Sequence, residues 1–110
     1  MPPLCTIDIA PGTGDAVVAR LTGELDLSNV RDVEHQLTTA LQPGHVLVLD
    51  LARLSYVDSS GLGMIERLTH QSALRLVIPA EAVIARTLSI TGLDQIVAVY
   101  ATQAAALAHK

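Results

Sequence analysis

The spacing of apolar residues near the start of the chain predicts two strands joined by a turn. Cys5, Ile7 and Ile9 alternate with polar residues, and a period of two is typical of a strand. Residues 11–15 are turn formers, and residues 16–22 then predict a second strand. Because the connection is short, we expect the two strands to form a hairpin.

A helical period replaces this alternation after residue 29. The apolar positions that fall on one helical face are Val30, Val33, Leu37, Ala40 and Leu41. Ser28 is the expected N-cap of this first helix, and Pro43 with Gly44 is expected to stop it.

The next segment predicts a buried strand that leads into a second helix. Residues 46–51 read as this strand, and their apolar run 46–49 is typical of a central strand covered on both faces. A short connection follows, and the second helix begins near Ser60. Its apolar positions are Met64, Ile65 and Leu68.

The last third of the chain continues the alternation of strands and helices. Residues 74–78 predict a strand, after which Pro79 opens a third helix that ends with Gly92 at its C′ position. The positions expected to point inward on this helix are Val83, Ile84, Thr87, Leu88 and Thr91. Residues 96–100 predict the final strand. Thr102 is expected to cap a short Ala-rich helix that ends near His109.

The predicted order is therefore ββαβαβαβα. Strands that alternate with helices indicate an α/β fold with a mixed, mostly parallel sheet, to which the N-terminal hairpin adds an antiparallel pair. About four helices flank this sheet. We expect one domain over residues 1–110, with its core at about residues 5–108, since a chain of this length is enough for one core and not for two.

Composition argues against several classes of function. Half of the residues are apolar, the net charge is −4, and two tyrosines are the only aromatic residues. Single-stranded nucleic acid is bound by stacking on aromatic rings and DNA by a basic face, so no nucleic-acid partner is expected. No apolar run approaches the roughly 20 residues of a membrane span, and the start of the chain does not resemble a signal peptide. Cys5 is the single cysteine, which excludes an intrachain disulfide and a thiolate metal cluster, and we expect a cytoplasmic protein.

The segment DSSGLG, residues 58–63, is the main candidate for function. It places the Ser60 hydroxyl at a helix N-terminus beside the acid Asp58. Such a hydroxyl caps the helix, contacts a partner or accepts a phosphate, and the residues alone leave these three roles open. Gly63 falls in the first turn of the helix, where glycine costs up to about 1 kcal/mol relative to alanine. This cost indicates a backbone that is approached closely, either by the protein's own strand or by another molecule, and the segment looks more like an exposed contact loop than a catalytic centre.

Catalytic and nucleotide-binding sites have weaker support. The nucleophile elbow G-x-S-x-G needs a glycine where Asp58 stands, and the P-loop needs a Lys-Ser/Thr pair where Met64 and Ile65 stand. No two histidines or cysteines have the spacing of metal ligands. The histidines lack a triad-like order and are expected on the surface: His35, His45, His70 and His109. We therefore predict no enzyme activity, no metal and no cofactor.

Glu24 and Asp26 are a second candidate pair. They end the second predicted strand two residues apart, so they are expected on the same face. The residues alone favour a solvated strand end, or an acid that stabilises the dipole of the first helix.

Three segments resemble the motifs of one known family. They are LTGELD at residues 21–26, LARLSYVDSSGLG at residues 51–63 and TGL at residues 91–93. In this order and spacing they are similar to the STAS domain, which bacterial anti-sigma factor antagonists share with the tails of sulfate transporters. The resemblance runs from about residue 7 to residue 107 and is closest to free-standing antagonists. It implies a mixed sheet flanked by helices.

The resemblance also implies a partner-switching role, with Ser60 as the phosphoacceptor. The partner is an anti-sigma factor that is itself a serine kinase of the histidine-kinase-like ATPase fold. The unphosphorylated antagonist binds this partner and releases a sigma factor, the phosphorylated form lets go, and a serine phosphatase resets it. The residues expected to bind the partner are Glu24, Asp26, Asp58, Ser59, Ser60, Gly61, Leu62 and Gly63.

The family implies one alternative role. Its members also include docking subunits of stress-signalling scaffolds and of transporter complexes. A protein of that kind forms a stable complex that is indifferent to ATP.

Overall fold

Five strands form one mixed sheet in the computed structural model, which describes residues 4–108. Their order across the sheet is the same as their order in the chain. The first two pair antiparallel and the other neighbours pair parallel, which confirms the predicted sheet and its N-terminal hairpin. The strands are β1 (Cys5–Pro11), β2 (Ala16–Leu25), β3 (Val46–Val57), β4 (Ala73–Val77) and β5 (Ala98–Tyr100).

Four α-helices connect or follow the parallel strands, as predicted. They are α1 (Val30–Ala40), α2 (Ser59–Gln71), α3 (Ala85–Thr91) and α4 (Gln103–Ala108), and a 3₁₀ turn at Leu93–Gln95 separates α3 from β5. The α4 helix has the expected cap, because the Thr102 hydroxyl accepts from Ala105 N at 3.1 Å. The expected end of this helix near His109 lies outside the described residues. Among residues 4–108, no helix is both long and apolar enough to span a membrane.

The β3 strand separates two apolar cores because its side chains alternate between the faces of the sheet. Leu47 and Leu49 join the larger core, to which α1, α2 and α3 contribute. Val48 joins the smaller core with Val18, Val77 and Ala106 of α4. The central strand is thus covered on both faces, as its apolar run predicted. The helix residues in the larger core are Val30, Val33, Leu37, Met64, Ile65, Leu68, Ile84 and Leu88.

The predicted end of β3 at residue 51 was wrong, since the strand continues to Val57. The polar residues of this extension face outward, whereas Leu54 and Val57 are buried. The extension pairs with the last residues of β2, which itself continues past residue 22 to Leu25. Two register shifts in this pairing disturb the simple alternation. The longer strands carry both connecting loops to the same edge of the sheet.

The third helix also differs from its prediction. It begins at Ala85 because residues 80–84 form turns, so Pro79 does not open it. Val83, Thr87 and Thr91 are exposed, and the prediction that they point inward was wrong. Gly92 ends the helix with φ of +79°, a left-handed conformation that suits glycine, as expected. The last strand is shorter than residues 96–100 because the 3₁₀ turn precedes it.

The first helix ends as expected but begins differently. It stops at Ala40, before Pro43 and Gly44. Its N-cap residue is Asn29, so the prediction of a Ser28 cap was wrong. Neither the Ser28 nor the Asn29 side chain accepts a hydrogen bond from the first turn of α1, because both side chains form hydrogen bonds within the preceding loop.

Candidate functional site

Asp58 caps the N-terminus of α2. Its Oδ1 accepts from Ser60 N at 2.9 Å and from Gly61 N at 3.1 Å, which satisfies two of the free N–H groups at the helix start. The helix begins at Ser59, one residue earlier than expected. The alternative that Ser60 caps this helix was therefore wrong, and the Ser60 hydroxyl does not cap α2.

The Ser60 hydroxyl donates a hydrogen bond to Asp58 Oδ1. Its residue is half-buried, whereas the neighbouring Ser59 is exposed. Both serines thus lie at the molecular surface, but only the second has its oxygen held in one direction by a carboxylate. A hydroxyl held in this way is oriented, which is a property that an acceptor of a transferred group needs.

The Asp58 carboxylate is the centre of this arrangement. The hydrogen bond from the Ser60 hydroxyl, helped by those from backbone N–H groups, lowers the pKa of Asp58 below its ordinary value of 3.8 and outweighs the opposing desolvation. The group is therefore anionic at neutral pH. Its second oxygen, Oδ2, accepts from Leu27 N at 3.1 Å. One side chain thus ties the start of α2 to the loop between β2 and α1.

A network of hydrogen bonds stabilises the conformation of this β2–α1 loop. Asp26 Oδ1 accepts from Ser28 N at 2.9 Å and from the Ser28 hydroxyl. Asn29 spans the loop, since its Oδ1 accepts from Asp26 N at 3.0 Å and its Nδ2 donates to Glu24 O at 2.9 Å. The conformation of residues 24–29 is therefore fixed by its own side chains.

Glu24 and Asp26 lie in this region, but in different elements. Glu24 is exposed in β2, opposite Tyr56 of β3 in the strand register. Asp26 follows the end of β2 at Leu25, so the expectation that both acids end the strand was wrong for Asp26. The hydrogen bond from Leu27 N to Asp58 brings their loop against the start of α2. The predicted site residues thus occupy one edge of the sheet.

The two glycines of this segment have different surroundings. A Cβ at Gly61 would lie 2.5 Å from Val57 Cγ2 and 3.0 Å from Leu25 Cδ2, so the close approach there comes from the protein's own strands. A Cβ at Gly63 would have one neighbour, the Arg67 guanidinium at 3.4 Å. Internal packing therefore explains Gly61, whereas Gly63 is half-buried and has only the Arg67 side chain near its Cβ position.

Two open grooves flank the serines. One has a volume of about 460 Å³ and is lined by Asp26, Leu27, Ser28, Tyr56 and Asp58. The other, of about 370 Å³, lies between α2 and the end of α3 and is lined by Ser59, Leu62, Gly63, Glu66, Thr91, Gly92, Leu93 and Ile96. Exposed apolar side chains thus stand on both sides of the candidate acceptor.

Sequence reasoning missed three of these exposed apolar residues: Leu27, Tyr56 and Ile96. Leu27 is an isolated apolar residue between polar neighbours, and no periodicity gives its orientation. Tyr56 was assigned to a connection that is in fact strand β3. The sequence did contain one signal of an exposed apolar residue. Leu27 lies between Asp26 and Ser28 in a turn-forming stretch, where no core position is expected.

His35, His45 and His70 lie away from this edge, and His109 lies outside the described residues. His35 and His70 are exposed on α1 and α2, and the half-buried His45 precedes β3, so the length of that strand separates it from Ser60. His45 Nδ1 accepts from Gln42 N at 3.3 Å. Within residues 4–108, no three His, Cys, Asp or Glu side chains cluster in a way that would hold a metal ion.

Solved structures of known proteins share this fold. An anti-sigma factor antagonist from Mycobacterium paratuberculosis has a TM-score of 0.83 at 22% identity, with 94% of this chain and 91% of that chain covered. The Bacillus cell fate determinant SpoIIAA, in its phosphorylated form, has a TM-score of 0.61 at 27% identity, with 92% and 96% covered. A sulfate transporter family protein from Wolinella succinogenes has a TM-score of 0.64 at 16% identity, with 86% and 83% covered.

The first and third of these likenesses are too distant in sequence to indicate more than the fold. Membership of a family rests on a separate comparison of the sequence with family models. The model of the STAS domain matches residues 9–106. Because this match spans most of the sequence, the chain belongs to the STAS domain family.

Proposed function

We propose that this protein is an anti-sigma factor antagonist that works by partner switching. Its unphosphorylated form binds an anti-sigma factor that is also a serine kinase, and the sigma factor is released. Phosphorylation of Ser60 abolishes this binding. Membership of the STAS family and the likeness to solved antagonists support the proposal.

The observation that carries the proposal is the hydroxyl of Ser60, which belongs to a half-buried residue and is oriented by Asp58. The Ser60 hydroxyl donates a hydrogen bond to Asp58 Oδ1. The lone pairs of Ser60 Oγ therefore remain available to an incoming phosphoryl group. In the transfer, Ser60 Oγ forms a bond to the γ-phosphorus of ATP while the bond to the bridging β–γ oxygen breaks and ADP leaves. The Asp58 carboxylate has a lowered pKa and is a weak base. In this proposal the hydroxyl proton passes to a base that the kinase supplies.

Phosphorylation weakens the complex for electrostatic reasons. The phosphate adds about −1.5 to −2 charges beside the anionic Asp58 and removes the proton that Ser60 shares with it. In-line transfer also requires the kinase nucleotide to lie opposite Ser60, so the new dianion faces the anionic nucleotide at close range. Each 1.4 kcal/mol of repulsion weakens binding tenfold, and a few kcal/mol dissociate the complex.

The remaining site residues serve the contact with the kinase. Gly63 lets the rim of the kinase cleft approach the backbone of α2, because glycine has no side chain and only the tip of Arg67, at 3.4 Å, lies near the position of a Cβ. Glu24 is exposed opposite Tyr56 in the strand register, and its negative charge attracts basic residues of the partner. Asp26, Asp58, Ser59 and Leu62 complete the surface. Gly61, which was expected at this contact, is buried against Val57 and Leu25 and lies beneath the surface. A serine phosphatase restores the unphosphorylated form, and the cycle takes place in the cytoplasm with the sigma factor.

Phosphosite mapping with a cognate anti-sigma kinase and ATP tests the proposal. We expect stoichiometric phosphate on Ser60 in the wild-type protein and in Ser59→Ala, and none in Ser60→Ala. Ser60→Asp should bind the kinase at least tenfold more weakly than the wild-type protein. Modification of Ser59 alone would contradict the assignment. A stable complex that ATP does not alter would indicate a docking subunit instead.

A further inference from the structure

The groove beside the β2–α1 loop carries an apolar surface that the fold does not use. This Leu27 groove is lined by Asp26, Leu27, Ser28, Tyr56 and Asp58. The side chain of Leu27 is 76% exposed and that of Tyr56 is 49% exposed. Neither belongs to the two apolar cores. The larger core is complete without them, so their apolar surface is available to another molecule.

The backbone of the groove is held in place before any partner binds. Leu27 N donates to Asp58 Oδ2 at 3.1 Å, and the residues on either side are fixed by the hydrogen bonds between Ser28 and Asp26 and between Asn29 and Glu24. Leu27 therefore lies in a turn whose backbone is hydrogen-bonded to Asp58, a residue 31 positions away in sequence. A preorganised apolar side chain loses little backbone entropy on binding, which is a property of binding hot spots.

The charge around this apolar pair has one sign. Asp26 and Asp58 line the groove, and Glu24 lies opposite Tyr56 in the strand register. No lysine, arginine or histidine is among the lining residues. The lowered pKa of Asp58 keeps that carboxylate charged. The groove therefore fits a segment that brings a cation together with an aliphatic side chain.

We propose that the Leu27 groove is a docking site for a segment of the anti-sigma kinase that carries an arginine next to an aliphatic residue, an inference that rests on the proposed function. The aliphatic side chain packs on Leu27 and Tyr56. The guanidinium pairs with the carboxylates and stacks on the tyrosine ring, which a lysine does less well. The charge complementarity of the groove selects this occupant over an acidic or a purely apolar segment.

This role is separate from that of the phosphoacceptor. Leu27 takes part in docking through its side chain, whereas its backbone N–H alone reaches Asp58. A side-chain substitution therefore leaves the hydroxyl of Ser60 oriented. It should weaken binding of the kinase and raise the KM for phosphorylation, with kcat nearly unchanged.

The test measures affinity and phosphorylation kinetics for Leu27→Ser and Tyr56→Ser. The probes are the purified anti-sigma kinases of the source genome, selected by binding to the wild-type protein. Ile9→Ser is the matched control, because Ile9 is 40% exposed in the middle of the edge strand β1. We expect each groove variant to lose at least tenfold in affinity and to gain a similar factor in KM, while Ile9→Ser stays within twofold of wild type.

Circular dichroism and thermal melting establish that the exposed substitutions leave the fold intact. If a kinase binds and phosphorylates the wild-type protein but the groove variants behave as Ile9→Ser, the docking inference is overturned and the proposed function stands. A loss of kcat without a change in KM would also overturn it, since the groove would then act on the hydroxyl. If no kinase binds the wild-type protein, both proposals are overturned.

Discussion

Substitution of Gly61 or Gly63 by alanine distinguishes two reasons for a glycine in α2: close packing against the core and close approach by a partner. Neither residue has a positive φ, so alanine is compatible with the backbone at both positions. In a helix, alanine is favoured over glycine by up to about 1 kcal/mol at each position. The two variants therefore differ only in what the new methyl group meets.

At Gly61, the methyl group would lie 2.5 Å from Val57 Cγ2, about 1 Å closer than ordinary van der Waals contact. Leu25 Cδ2 at 3.0 Å closes the other side, and both neighbours belong to the larger core. Overpacking of this kind costs about 1–3 kcal/mol, which the helix propensity of alanine offsets in part. We expect Gly61→Ala to destabilise the protein by about 1–2 kcal/mol.

At Gly63, the methyl group would meet Arg67 Nη1 at 3.4 Å, close to ordinary van der Waals contact, while Nε and Nη2 of the same guanidinium pair with Glu34. The helix propensity then dominates, and Gly63→Ala should stabilise the protein by about 0.5–1 kcal/mol. The same variant should bind the kinase more weakly, because the methyl group fills the space that a partner would use. A gain in stability with a loss of function is typical of residues kept for binding.

Urea denaturation followed by circular dichroism measures both changes. The free energies of unfolding of the two variants should differ by about 2 kcal/mol, with unchanged m-values. A Gly61→Ala protein as stable as wild type, or a destabilised Gly63→Ala protein, would refute the packing argument. A stabilised Gly63→Ala protein with unchanged affinity for the kinase would show that no partner approaches that backbone.

Two further predictions concern buried or capping carboxylates. Because the pKa of Asp58 is lowered, its charge stabilises the fold above the ordinary value of 3.8, and this contribution is lost as the pH falls below it. Asp58→Asn keeps a capping oxygen without the charge, so the thermal midpoints of wild type and variant should converge below about pH 4; a constant gap would contradict the assignment. Gln103 Nε2 donates to the buried Asp50 at 2.6 Å, and Gln103→Ala should cost about 1–3 kcal/mol in urea denaturation. Gln36→Ala, which removes an exposed hydrogen bond to Asp32 within α1, is its control and should cost under about 0.5 kcal/mol; equal losses would exclude a role for burial.

The interior of the protein followed closely from the sequence. The run 46–49 predicted a strand covered on both faces, and the spacing of Val30, Val33 and Leu37 predicted the buried face of α1. These predictions held because burial of apolar side chains imposes the period of the element. Ends of elements were less predictable. The outward-facing polar residues of β3 beyond residue 51 resemble those of a loop, and only pairing with β2 makes them strand.

The candidate site divides in the same way. The sequence alone determined that a serine follows an acid at the start of a helix and that glycines surround it, since these are local features of residues 58–63. Only the tertiary structure decided that Asp58 rather than Ser60 caps α2, that Gly61 is explained by core packing while Gly63 is open, and that Leu27 stands beside Asp58. The surroundings of the glycines and of Leu27 depend on contacts between β2, β3 and α2, whereas the cap depends on where the chain enters α2. Hydrophobic periodicity specifies which face of an element is buried, but which distant residues then meet at the edge of the sheet is decided when the strands pair.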